Sequence, residues 1–124
     1  MKLKLLFALE ALEDMENIFH YYAEQSESYA VELYNQIIEE TEQLQYFPQM
    51  AQKEPLLKEF KEDYRSLIVR TIYKIVYFVE NETVNIVAVF DCRQNPKKLK
   101  NDIFPISIRK NYEHTRRTKS KKDI

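Results

Sequence analysis

Arg65, Lys74 and Arg93 are the residues of this chain best placed to do chemistry, because each interrupts a segment that is otherwise apolar: "YRSLIVR", "YKIVYFVE" and "TVNIVAVFDCRQNP". Such segments read as strands. A cation fixed at a strand end can grip a phosphate or a carboxylate, and an arginine can do so with two parallel hydrogen bonds. Arg93 is the clearest case. After "NIVAVF" the chain turns polar and reaches Asn95-Pro96, where proline cannot donate to a ladder and asparagine favours a turn. The strand therefore delivers Arg93 on a rigid support within reach of solvent. By position alone, Arg65, Lys74 and Arg93 are either outward-facing charges that keep sheets from sticking to one another or contacts for a target or a phosphate. Arg70 alternates with Ser66 and Ile68 and reads as an exposed charge that blunts a sheet edge.

Other chemistries find less support. A nucleophilic cysteine needs an activating neighbour, and neither His20, midway along a helical segment, nor His114, in the tail, has a reason to lie beside Cys92. Cys92 is read as a structural strand-end residue. No HExxH, Cys/His cluster or carboxylate quartet occurs, so no metal and no cofactor is expected. A single cysteine suits a reducing compartment, and a cytoplasmic protein is expected. Of the tyrosines, Tyr22, Tyr34, Tyr73 and Tyr77 fall on core stripes, whereas Tyr21 and Tyr29 read as partly exposed contact residues.

The elements that must position these residues follow from periodicity. Leu3, Leu5 and Phe7 alternate with Lys2 and Lys4, the pattern of a strand with one wet face. Leu12, Met15, Phe19 and Tyr22 recur at helical spacing, and so do Ala30, Leu33, Tyr34, Ile37, Ile38, Thr41 and Leu44, with Ser26 or Ser28 as the cap between the two helices. Pro48 ends the second helix, and a short turn is expected within residues 56 to 60. Short links join the three later strands into antiparallel hairpins, and in a chain with no glycine Asn81 is the residue expected to take a positive φ. The fold class is α+β: strand, helical hairpin, then a three-stranded antiparallel meander, with the helices packed on one face of the sheet. "DIFPISI" alternates Phe104, Ile106 and Ile108 and reads as a short extended segment.

Charge divides the chain. Residues 1 to 63 hold 5 Lys and Arg against 14 Asp and Glu, and residues 64 to 124 hold 14 against 6. An anionic partner would choose the second half. Residues 101 to 124 form a basic extension, with Arg116, Arg117, Lys119, Lys121 and Lys122, expected to be mobile. No apolar run approaches a membrane span, and no membrane partner is expected.

The order of elements, "YRSLIVRTIYKIVYFV" and the closing "VFDCRQNPKKL" resemble the RelE/ParE toxin superfamily of bacterial toxin-antitoxin modules, over residues 1 to 100. The resemblance implies a small toxin neutralised by a cognate antitoxin protein, with no small-molecule substrate. One branch cleaves messenger RNA on the ribosome; the other, ParE-like, poisons DNA gyrase. In this resemblance Arg65 and Lys74 match basic positions of the ribonuclease site, and Arg93 or Gln94 matches its last arginine. Leu67 stands where the ribonuclease carries its proposed basic lysine, and its C-terminal tyrosine position falls near Lys100, far from Tyr112. A leucine cannot take a proton from a 2′-hydroxyl. The ParE-like branch is therefore the expected one, with a ribosome-dependent mRNA endoribonuclease using Arg65, Lys74 and Arg93 as the alternative.

Overall fold

A computed structural model describes the backbone of residues 2 to 123 and the side chains of residues 2 to 109. A strand, β1 (Lys4–Phe7), leads into a helical hairpin, α1 (Leu9–Ala23) and α2 (Glu27–Gln43). A two-residue strand, β2 (Gln52–Lys53), a single 3₁₀ turn at Pro55–Leu57, a meander of β3 (Arg65–Val69), β4 (Tyr73–Glu80) and β5 (Thr83–Asp91), and a helix, α3 (Pro96–Asp123), follow. The sheet order is β1-β5-β4-β3-β2; β1 runs parallel to β5 and the other neighbours are antiparallel.

The expected α+β arrangement is present, with two additions. β2 pads the outer edge of β3 through Gln52 and Lys53. The second addition is larger: residues 102 to 108, expected to be extended, are helical. Leu99, Ile103 and Ile106 form a buried stripe at helical spacing and pack with Tyr64, Val76, Phe78, Val87 and Phe90 on the sheet face away from the hairpin. Phe104 and Ile108, whose alternation suggested a strand, stay exposed. The sheet is thus sandwiched, its other face packing Ile75, Tyr77, Val84, Ile86 and Val89 against Ala11, Met15, Leu33 and Ile37. The side chains of Tyr112, His114 and the basic cluster from Arg116 to Lys122 lie outside the described residues.

Within α1 the buried stripe is Ala11 and Met15, extended by the partly buried Ile18 and Tyr22. Leu12 is 44% exposed and lines a groove with Phe19 and Tyr34. The helix is rotated by one position from the expected phase because the small Ala11 lets it approach β5 closely. The hairpin is capped as expected: the Ser26 hydroxyl accepts the Tyr29 N–H at 3.3 Å.

Two features of the strands aim the later residues. The ladder shifts between Val76 and Tyr77, so that Tyr77 pairs with Ile86 and Val76 with Ala88, leaving Val87 as an extra residue on β5. Such a bulge moves every following side chain to the opposite face. It turns Val89 towards the hairpin and sets Asp91 beside Tyr73. The hairpin turns are built without glycine: Arg70 and Thr71, then Asn81 and Glu82, have φ values of 52°, 59°, 54° and 58°. Paired left-handed residues match the twist of the flanking strands.

Candidate functional site

The three basic residues singled out by sequence do not converge. Arg65 lies opposite Tyr77 and Lys74 opposite Phe90, on adjoining strands. Alternation along β4 puts Lys74 on the α3 side, whereas Arg65 shares the hairpin side with Tyr77. Arg93 follows β5 beyond Tyr73, about 13 Å along the sheet from the Tyr77 level at ~3.3 Å per residue.

Each has a different surrounding. Lys74 donates to Glu54 Oε1 at 2.6 Å, and that carboxylate, 1% exposed, also accepts from the Ser66 hydroxyl at 2.7 Å and the Leu56 N–H at 3.0 Å. Burial alone would raise the Glu54 carboxyl, but Lys74, the Leu56 N–H and Ser66 together hold it below its ordinary range. The charge of Lys74 is therefore neutralised inside the protein. Arg65 donates from Nη1 to the Ala51 carbonyl at 2.7 Å. Beside it the Tyr77 hydroxyl donates to the Pro48 carbonyl at 2.7 Å, so the two side chains pin the segment between α2 and β2.

Arg93 alone of the three is predominantly in solvent, with 56% of its side chain exposed. Asp91 orients it, accepting from Nε at 3.0 Å and from Nη2 at 2.7 Å. The guanidinium hydrogen bond holds the Asp91 carboxyl below its usual range, and Asp91 in turn raises Arg93. A cavity of about 350 Å³ opens here between α1 and the end of β5. Helical spacing brings Asp14, Asn17 and Tyr21 to one wall; Tyr73, Asp91, Arg93 and Gln94 supply the other.

An aromatic chain supports this end of the sheet. Tyr73 and Tyr22 hydroxyls are 3.1 Å apart, the Tyr22 ring lies 5.1 Å from Tyr29, and the Arg70 guanidinium sits 5.3 Å above Tyr29. Arg70, expected to be a simple surface charge, also donates to Gln36 and pairs with Glu32 at 3.4 Å. It clamps the first hairpin turn onto α2. Burial raises the Tyr73 hydroxyl further above the range of a free phenol, so it cannot serve as a base at neutral pH. Burial likewise raises the Cys92 thiol, leaving it unactivated.

Asp14 is not among the residues that the sequence singles out. Its Oδ2 accepts the Val89 N–H of β5 at 2.9 Å. Burial pushes its carboxyl up to about 6, opposed by that N–H and reinforced by Asp102. The available signal was its place three residues before Asn17 and seven before Tyr21, but no sequence pattern tells which strand amide lacks a partner. Among the described residues no cluster of His, Cys, Asp and Glu is fit to hold a metal ion, and no helix is long and apolar enough to cross a membrane.

A family model described as the ParE toxin of the type II toxin-antitoxin system, parDE, matches residues 5–96. A solved structure titled as the chromosomal ParDE toxin-antitoxin system from P. aeruginosa is similar in fold, with a TM-score of 0.61, 18% identity, and coverage of 73% of this chain and 96% of that one. No curated protein matches the chain by sequence.

Proposed function

The chain belongs to the ParE toxin family of type II toxin-antitoxin systems, and on that premise we propose that it arrests growth by binding a DNA-handling protein, DNA gyrase, and is neutralised by a cognate antitoxin. The observation that carries this reading over RNA cleavage is the Lys74–Glu54 pair. A ribonuclease site needs its cations free to meet a phosphate and to converge on it. Here Lys74 is bound to a buried carboxylate and faces α3, Arg65 is held by a backbone carbonyl, and only Arg93 reaches out.

Arg93 then serves as the target contact, presented on a strand end and oriented by Asp91. Arginine and tyrosine are favoured anchors in protein interfaces, and Tyr21, 59% exposed, stands at the same cavity. Because α3 covers the second sheet face, the apolar groove of Leu12, Phe19 and Tyr34 between α1 and α2 is where we place the apolar contact with the antitoxin.

Induction of the chain without antitoxin, with DNA integrity and transcript ends followed together, tests the proposal. A DNA-damage response with intact transcripts is expected. Prompt cleavage of messenger RNA with undamaged DNA would reject gyrase as the target.

A further inference from the structure

We propose that the cavity between α1 and the end of β5 receives a lysine or arginine side chain of the antitoxin, held by the Asp14 carboxylate. This rests on the toxin reading above, because the antitoxin supplies the cation.

The edge of β5 beside this cavity is open. β1 stops at Phe7, opposite Ile86, and the Ala8 N–H takes the Ile86 carbonyl at 2.8 Å. β5 continues to Asp91 with no strand on that side, so its outward amides need other acceptors. Asp14 supplies one with Oδ2. A neutral asparagine would satisfy the Val89 N–H equally well. The carboxylate instead carries a charge with no ion-pair partner among the described residues.

That charge works against the fold. A carboxyl raised from 3.8 to about 6 gives a contribution that is full below the ordinary value and is lost as pH rises through 6. At neutral pH the ionised group destabilises the native state. Groups kept in that condition beside a cavity are candidates for ligand contact.

The surroundings fix the sign of the ligand. Arg93 is already forked onto Asp91. Glu13 from α1 and Asp102 from α3 add negative potential at Asp14, with Lys98 opposing them. Tyr21 and Tyr73 flank the space with phenol rings, and residues 9 to 43 contain ten Asp and Glu with no Lys or Arg. Asn17 and Gln94 offer amide oxygens, and the exposed Tyr21 ring offers a face to a cation. Arg93 offsets Asp91, so Asp14 leaves the lining with one negative charge in excess, which an ammonium or guanidinium complements and a phosphate does not.

The full-length protein, titrated with N-acetyl-arginine amide and followed by NMR at the Val89 amide and the Asp14 carboxyl at pH 7.5, tests the site. N-acetyl-citrulline amide is the neutral control. Saturable shifts with arginine alone are expected, abolished in Asp14→Asn, which keeps the acceptor for Val89. No saturable response, an equal response to citrulline, or a response retained in the variant would overturn the site. For the antitoxin as source, Asp14→Asn is expected to weaken its binding at least tenfold at pH 7.5. Wild-type affinity is expected to fall between pH 7.5 and 5.5 while the variant stays flat; unchanged affinity in the variant would overturn the assignment. Absence of growth arrest by the wild type would sink the toxin reading while leaving the arginine titration to stand on its own.

Discussion

Lys74 and Arg93 are both cations set in apolar strands, and their neighbours give them opposite roles. Removing Lys74 leaves Glu54 buried and uncompensated, so Lys74→Ala is expected to cost about 3 kcal/mol or more in urea unfolding at pH 7. Because the Glu54 carboxyl is held low, its contribution is present above the ordinary value near 4.5 and is lost as pH falls. The penalty of Lys74→Ala should accordingly shrink in acid; an equal penalty at pH 3 and pH 7 would refute the pairing. Arg93→Ala touches an exposed fork and should leave the melting temperature nearly unchanged while abolishing growth arrest. Retained arrest in that variant would remove Arg93 from the target contact. The arginine itself was legible in the sequence, since Asn95-Pro96 announces a strand end. Glu54 was not, because a glutamate inside a connector carries no mark of the two strands that will close over it.

Among the elements, the strands and the helical hairpin were legible because their apolar periods are long. The position of Asp91 and Arg93 on the α1 side was hidden, since it depends on the bulge that leaves Val87 unpaired. α3 was misread for two physical reasons. Pro105 removes a backbone donor and crowds the preceding turn, and Phe104, Ile106 and Ile108 alternate as a strand would. The uncovered apolar face of Val76, Phe78, Val87 and Phe90 overrides both, drawing Leu99, Ile103 and Ile106 into a helical stripe. Ile103→Ala should therefore destabilise the protein by about 2–4 kcal/mol; a change within error would mean that α3 contributes little to the core. The glycine-free turns give a second expectation. Thr71 is β-branched and exposed with φ at 59°, so Thr71→Gly should stabilise by about 0.5–1 kcal/mol in the same assay. Destabilisation would show that the Thr71 hydroxyl bond to the Arg70 carbonyl, 2.6 Å, outweighs the backbone cost.

At the scale of the whole molecule, the acidic half of the charge division seen in the sequence falls on the helical hairpin. The hairpin presents acidic residues without a single Lys or Arg, which disfavours direct contact with nucleic acid on that side and favours a protein partner bearing cations. Arg93 projects at the margin of this acidic surface, next to the cavity floored by Val89 and Asp91. On the proposed reading, the target contact at Arg93 and the antitoxin cation at Asp14 share this cavity, so that the two partners compete for it. The most direct test is purified DNA gyrase incubated with the full-length protein and supercoiled or relaxed plasmid. The account predicts loss of supercoiling with accumulation of cleaved DNA, reversed by the antitoxin and absent with Arg93→Ala. Unimpaired gyrase, together with cleavage of messenger RNA on purified ribosomes, would contradict it.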